Sequence, residues 1–267
     1  MAVPGLPRSE AWLLAELARG GPSLVALSGG VDSTLVAWYA RRALGVDSVA
    51  VTLTGPSLPR AELVAARAAA QAVGIAHVEV AADPLQAAEY RSNPNDRCYF
   101  CRQVEAAVLR RWGEERGVRR FIDGVHLDDL GEDRPGLRAM DAAGFWHPLA
   151  EAGWNKQQVR AAARALGLPN WDRPSNACLA SRVRHGQAIT APLLERVDRA
   201  EELVRAQGFS RVRVRVEGGA GRVEVGAEEV ERLASPAVAR AVRRELRRLG
   251  FHEVQLDPVG YRARPGM

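Results

Sequence analysis

The run "SLVALSGGVDSTLVAWYA", residues 23 to 40, constrains this chain more than any other stretch. "SLVAL" reads as a buried strand and "STLVAWYA" as the helix that follows it, so Ser28-Gly29-Gly30-Val31-Asp32-Ser33 falls on the junction. Two adjacent glycines let an anion approach the main chain closely. The free N–H groups and positive end of the following helix complete a nest for phosphate. A Walker A loop is excluded, because no Gly-Lys-Ser/Thr follows. The plain alternative is a tight βα turn capped by a serine.

Apolar runs at 23–27, 48–53, 76–80 and 120–124 alternate with helical patterns near 31–44, 59–73 and 98–116. Gly45, Gly74 and Gly117 stand just past the last periodic residue, where a left-handed cap suits glycine. This βαβ rhythm predicts an α/β fold with a doubly wound, mostly parallel sheet. Residues 125–148 read as loop, a helix follows at 155–166, closed by "GLP", and 170–186 is irregular again. From residue 190 the pattern becomes helix, alternating strand "RVRVRV", turn "EGGAG", strand "RVEV", helices and "HEVQLD". The expected division is therefore an α/β domain at 1–189, carrying the glycine loop, and a small α+β domain at 190–267.

The start of the chain lacks a secretory pattern and no stretch is apolar enough to span a membrane, so a cytoplasmic protein is expected. The net charge is +5, and of 37 Lys and Arg residues only Lys156 is a lysine. Acidic residues are interspersed with the arginines, which makes nucleic acid an unlikely partner. Cys98, Cys101 and Cys178 are the three cysteines. An odd count in a reducing compartment points to metal, catalysis or burial rather than a disulfide framework. Cys98 and Cys101 open a helix, where the dipole favours thiolate and a spacing of three puts both sulfurs on one side. With Cys178 they can ligate three irons of a [4Fe-4S] cluster and leave the fourth open for hydrosulfide. Zinc with His126, His147 or His185, a redox or sacrificial thiol, and inert burial stay open at this point.

The string SGGVDS resembles the pyrophosphate loop of the PP-loop ATP pyrophosphatases, which cleave ATP between the α and β phosphates. The resemblance makes Ser28, Gly29, Gly30, Asp32 and Ser33 the nucleotide-binding set, with Asp32 a candidate for orienting backbone or Mg2+. Joined with "NPNDRCYFC", "DGVHLDDLGEDRPGLRA", "LGLPNWDRPSNACLASR" and "RVRVR…GRVEV", it is similar to the LarE family of ATP-dependent sulfur transferases over about residues 20 to 260. That likeness implies adenylylation of pyridinium-3,5-biscarboxylic acid mononucleotide by ATP and its conversion to a thiocarboxylate, a step toward the nickel-pincer nucleotide of lactate racemase. It also implies a homo-oligomer, sulfide as co-substrate, transfer to a nickel-inserting maturation protein, and the three-cysteine branch with a [4Fe-4S] cluster. Cys178 is the donor if no cluster forms. Arg213, Arg215 and Glu201 are placed near the active site by the same resemblance.

On residues alone, the alternation of "RVRVRV" turns Val212, Val214 and Val216 to a core and Arg211, Arg213 and Arg215 to the other side. Those guanidiniums either bind a phosphate or keep a strand face solvated. Asp128 and Asp129, just past the "FIDG" strand, sit where a doubly wound sheet places magnesium or ribose contacts, and solvated loop acids are the alternative. A PP-loop enzyme thiolating tRNA, a non-catalytic ATP-binding partner and an enzyme of ammonia-dependent amidation are the rival readings.

Overall fold

The computed structural model describes residues 7–131, 134–174 and 176–261. The first elements along the chain are α1 (Glu10–Arg19), β1 (Ser23–Ala26), α2 (Val31–Leu44), β2 (Ser48–Thr54), α3 (Arg60–Val73) and β3 (Ala76–Ala81). Then come α4 (Ala88–Arg91), α5 (Arg97–Glu114), β4 (Arg120–Ile122), α6 (Pro135–Ala142), α7 (Pro148–Glu151) and α8 (Lys156–Ala165). The last are α9 (Ala191–Arg205), β5 (Val212–Glu217), β6 (Ala220–Val225), α10 (Val230–Ala234), α11 (Pro236–Arg248) and β7 (Glu253–Leu256). Two compact units result: residues 1–84 with 96–176, and residues 85–95 with 177–267.

In the first unit four parallel strands are ordered β3-β2-β1-β4. Chain order runs β1 to β2 to β3 in one direction, then returns across the sheet to β4, so the loops after β1 and β4 diverge at a topological switch point. Crevices at such points, outside the carboxyl ends of the strands, are where α/β sheets bind ligands. β1, β2 and β4 bury residues on both faces, whereas β3, at the sheet edge, has none that is fully buried. Val25 packs with Leu13, Leu35, Ala66 and Val159 from α1, α2, α3 and α8, while its neighbour Leu24 packs with Leu109, Met140 and Phe145 on the opposite side. Each such large apolar side chain contributes roughly 1.5–3 kcal/mol by leaving water.

The stretch 125–148 is not all loop: α6 forms because Pro135 sits in its first turn, where a missing N–H costs nothing, and because Ala139 and Met140 are buried. The strand pattern and main helices of this unit otherwise stand within two or three residues of the sequence expectation.

The second unit has a three-stranded sheet, β5-β6-β7, with β5 and β6 antiparallel and β6 and β7 parallel. Its hairpin is tighter than "EGGAG" suggests: Glu217 pairs with Ala220, leaving Gly218 and Gly219, both at positive φ, as a two-residue turn. Residues 85–95 join this unit although they precede α5. Asn93, fully buried, donates to the carbonyls of Arg184 and Gln187 at 2.8 and 3.1 Å, and Ile189 N–H donates to Arg91 O at 2.8 Å. The arginines are less evenly dispersed than the sequence reading holds. On α11, Arg240, Arg243, Arg244, Arg247 and Arg248 stand against Glu245 alone, which is +4 of the chain's +5, while Ala239, Val242 and Leu246 bury the opposite face. No described helix is long and apolar enough to cross a membrane.

Candidate functional site

The glycine loop sits at the switch point. α2 begins at Val31, and its N-cap, Gly30, supplies no side-chain hydrogen bond, so no cap side chain takes up the first N–H groups of the helix. Ser33, in the first turn of α2, bonds back into the loop: its Oγ accepts from Ser28 N–H at 3.2 Å and lies 3.1 Å from Ser28 Oγ. Gly29 has φ +79°, and a Cβ there would lie 2.7 Å from Ala66 N in α3. Gly124, just after β4, is as tightly placed, since its Cβ would meet Ser33 N at 2.5 Å. Glycine is required at both because main chain packs directly on main chain.

Asp32 faces Lys156, the chain's one lysine, which enters from the start of α8 and donates to both carboxylate oxygens at 2.7 and 2.6 Å. Lys156 N–H donates to Asp128 Oδ2 at 2.9 Å, so Asp128 fixes the backbone from which that side chain reaches Asp32. His126 Nε2 is 4.0 Å from Asp32, and its Nδ1 is 3.3 Å from Asp129. Asp129 also accepts from His126 N–H at 3.0 Å and pairs with Arg134 at 2.5 Å. The structure thus gathers Ser28, Gly29, Gly30, Asp32, Ser33, Asp128 and Asp129, but gives both later aspartates protein partners. Lys156 and His126 are the members the sequence reading missed as a pair with Asp32. A single lysine in an arginine-rich chain was the available signal for Lys156.

A second tie holds the loop from beneath. Asn170 Nδ2 donates to Gly29 O at 3.0 Å and to Thr34 Oγ1 at 2.9 Å. Arg173 grips Glu62, a buried residue of α3, through both Nη atoms at 2.6 and 2.7 Å, and Asn176 Nδ2 donates to the same carboxylate at 2.5 Å. Nothing in local periodicity announces this contact. Nearby, His147 Nδ1 is 2.6 Å from Asp123 and its Nε2 is 2.8 Å from Asp141. Burial draws the imidazole pKa down, but the two carboxylates outweigh it and raise it above its ordinary 6.5.

In the second unit, Glu201 of α9 is wholly buried and accepts from Arg182 Nε at 2.8 Å, Arg205 Nη2 at 2.6 Å and Val214 N–H at 3.1 Å. Burial pushes its carboxyl pKa up, yet the guanidiniums of Arg182, Arg205 and Arg213 prevail and hold it below 4.5. Arg213 is lowered to about 10, first by burial and then by repulsion from Arg182. Arg182 and Arg205 thus bond to one buried carboxylate, with Arg213, which donates to Val212 O at 2.8 Å, close enough to feel its charge, and among the described residues Arg205 Nη1 is buried with no hydrogen-bond partner. Arg182 Nη1 donates to Ala177 O and Cys178 O at 2.6 and 3.0 Å, and Arg215, paired with Glu224 at 2.8 Å, donates to Ser181 O at 3.2 Å. So Cys178, Glu201, Arg213 and Arg215 belong to one constellation, with Glu201 as its buried hub and Val212, Val214 and Val216 in the core below. Arg211 precedes β5 and is exposed.

Cys98 and Cys101 occupy the first turn of α5, the former exposed and the latter half-buried, and no disulfide joins any of the three cysteines. Within either unit, among the described residues, no three His, Cys, Asp or Glu side chains converge as a metal site.

A parallel sheet with an uncapped SGGVDS loop at its switch point, and an aspartate and lysine facing each other across that crevice, defines an ATP pyrophosphatase of the PP-loop class. The asparagine synthase family matches residues 15–96, the part of the chain that carries the loop. An uncharacterised protein of Synechocystis sp. is 41% identical over 241 residues, 90% of each chain. The pyridinium-3,5-bisthiocarboxylic acid mononucleotide synthase of Lactiplantibacillus plantarum is 32% identical over 259 residues, 97% of this chain and 93% of its own. The tRNA(Ile)-lysidine synthase of Salinispora tropica is 30% identical over 217 residues, 73% of this chain and 62% of its own. The chain belongs to the LarE family of ATP-dependent sulfurtransferases, which includes the Lactiplantibacillus synthase.

Proposed function

We propose that this protein adenylylates a ring carboxylate of pyridinium-3,5-biscarboxylic acid mononucleotide and converts it to a thiocarboxylate. A carboxylate oxygen attacks the α-phosphorus of ATP, the bond to the bridging oxygen breaks, and pyrophosphate leaves. Main-chain N–H groups of the loop and the ammonium of Lys156 stabilise charge on the departing pyrophosphate. Asp32, released from Lys156 when phosphates arrive, is then free to hold Mg2+ or orient the loop. A sulfur nucleophile next attacks the acyl carbon, the carbon–oxygen bond to phosphate breaks, and AMP departs.

The observation that carries the substrate reading is the imbalance around Glu201: three guanidiniums to one buried carboxylate, beside the turn that begins at Cys178. A phosphate monoester carries the charge and the acceptor oxygens that would balance Arg205 and Arg213, with Arg215, already paired to Glu224, beside them. Three thiols outside any disulfide, two of them on one helical turn, are a donor set suited to iron. Cys98, Cys101 and Cys178 would hold a [4Fe-4S] cluster, which when bound supplies an iron with an open position for hydrosulfide. Assembly as a homo-oligomer and delivery of the product to a nickel-inserting protein belong to the same proposal.

Anaerobic protein given ATP, Mg2+, sulfide and the biscarboxylate mononucleotide is expected to form AMP, pyrophosphate and a product in which sulfur replaces oxygen. AMP formation that does not depend on the mononucleotide refutes the reading. A second reading, thiolation of tRNA, is favoured by one observation, the concentration of charge on α11. It requires tRNA binding that weakens steeply with salt and disappears when Arg240, Arg243 and Arg247 become glutamine.

A further inference from the structure

We propose that His147 is a positioning residue which, by clasping Asp123 and Asp141, completes a circuit of contacts on which ATP binding at the glycine loop depends. The proposal rests on the ATP-dependent reading of that loop and adds to it a residue that touches no phosphate. Every member of the circuit lies in the first unit. His147 Nδ1 is 2.6 Å from Asp123 Oδ1, and its Nε2 is 2.8 Å from Asp141 Oδ1. An ionised carboxylate only accepts, so both contacts are hydrogen bonds only while both ring nitrogens carry a proton.

From Asp123 the circuit runs directly to the loop. Asp123 Oδ1 also accepts from Val125 N–H at 3.1 Å, which fixes the turn that sets Gly124 against Ser33 N, where a Cβ would come within 2.5 Å. From Asp141 it runs the other way, along α6 to the N-cap of that helix, Arg134, which pairs with Asp129 at 2.5 Å. Asp129 accepts from His126 N–H at 3.0 Å, and His126 Nε2 is 4.0 Å from Asp32. The circuit thus opens at Asp32 and closes at Ser33, and His147 is the link that ties α6 to the end of β4.

Its two partners are unequally sheltered, Asp123 at 12% exposure and Asp141 at 56%. When the imidazole gives up one proton, the other stays toward Asp123, and Asp141 then faces a bare ring nitrogen and releases α6. Further charges stand around this pair: Arg102 of α5, whose charge Asp123 feels, and Glu151 of α7, which accepts from Trp146 Nε1 at 2.6 Å. Burial draws the imidazole down, but Asp123 and then Asp141 outweigh it and hold it above 6.5. The clasp is therefore complete below about pH 6.5 and is lost as pH rises through the folded value.

The test measures AMP release at saturating mononucleotide as Mg-ATP is varied, about one pH unit on either side of the His147 midpoint that histidine NMR gives. Wild-type KM for ATP is expected to rise roughly threefold or more from the acid to the alkaline side, the effect of one lost hydrogen bond, while kcat stays within about twofold. His147→Gln should show the alkaline KM on both sides. Asp141→Asn removes one of the two carboxylates, so it should move the NMR midpoint and the KM step to lower pH together and leave the acid-side KM unchanged. Protonation of ATP is common to the three proteins and cancels in their ratios. A wild-type KM indifferent to the midpoint, a step that survives in His147→Gln, or a midpoint at or below 6.5 overturns the proposal. So does a midpoint that moves in Asp141→Asn without the KM step. If wild-type protein releases no AMP, the functional reading fails, and ATP affinity by calorimetry at the same two pH values decides the role of His147.

Discussion

Replacing Lys156 by methionine separates what this residue does for folding from what it does for ATP. The Lys156–Asp32 pair is 30% and 24% exposed at its two side chains, so solvent screens it and its contribution to stability is on the order of 1 kcal/mol or less. Methionine keeps the length of the stem, and the backbone N–H that Asp128 holds survives any substitution. For a chain of this size the melting temperature is then expected to fall by no more than about 4 °C. Catalysis has more to lose, because the pyrophosphate leaving from the loop forfeits a charge-assisted hydrogen bond worth roughly 1.5–3 kcal/mol. That corresponds to about a 10- to 150-fold drop in kcat/KM for ATP. Arginine at 156 is expected to rescue only in part, since it keeps the charge but places a longer, planar fork where a compact ammonium stands. The assay is AMP release at saturating mononucleotide, paired with thermal unfolding of the same preparations. A less than twofold loss of kcat/KM, or a melting temperature lowered by more than about 8 °C, refutes the assignment of Lys156 to phosphate and makes it a structural staple.

Four further outcomes are expected. Glu201→Gln leaves Arg182 without its counter-charge in a site closed to water and destabilises the protein by about 3–5 kcal/mol, read from urea midpoints. In the wild type the lowered carboxyl of Glu201 contributes stability that is complete above about pH 4.5 and is lost as pH falls through the folded value, so acid unfolding in Glu201→Gln should lose part of its pH dependence. The raised imidazole of His147 acts with opposite sign: its contribution is complete below about pH 6.5 and lost as pH rises through the folded value, and His147→Gln should flatten the stability profile above about pH 6.5. Arg213→Ala and Arg215→Ala should raise KM for the mononucleotide much more than KM for ATP, and steady-state kinetics showing equal effects would return both to a structural role. Cys98→Ala should lower iron bound after anaerobic reconstitution without stopping adenylylation, whereas dehydroalanine at Cys178 in iron-free protein after turnover would instead identify that cysteine as a single-use donor.

The loop and the sheet were legible in the sequence because their causes are local. A strand, two glycines and a helix in succession announce an anion nest whatever lies elsewhere, and the glycines at 45 and 74 mark helix ends by backbone conformation alone. Lys156 and Asp32 are 124 residues apart, and Arg173 and Glu62 are 111 apart. Such partners leave no periodic trace, and among so many arginines no single one stands out. The same blindness applied to Glu201: its proximity to the arginines of β5 was expected, but its burial, and so its role as hub, depends on how α9 packs against that strand. Asn93, an asparagine at φ +57°, stitches an early segment to residues 184–189, and no composition change marks a hydrogen bond across so many positions.

Gly29 lies against Ala66 N, Gly124 lies against the amide of Ser33, and Asn170 holds the carbonyl of Gly29. A loop pressed on three sides by main chain and a buried amide has already lost its conformational entropy during folding. Nucleotide association therefore has little ordering left to impose, and the binding transient should be a single exponential whose rate rises linearly with ATP, without the slow saturating phase that marks closure of a mobile loop.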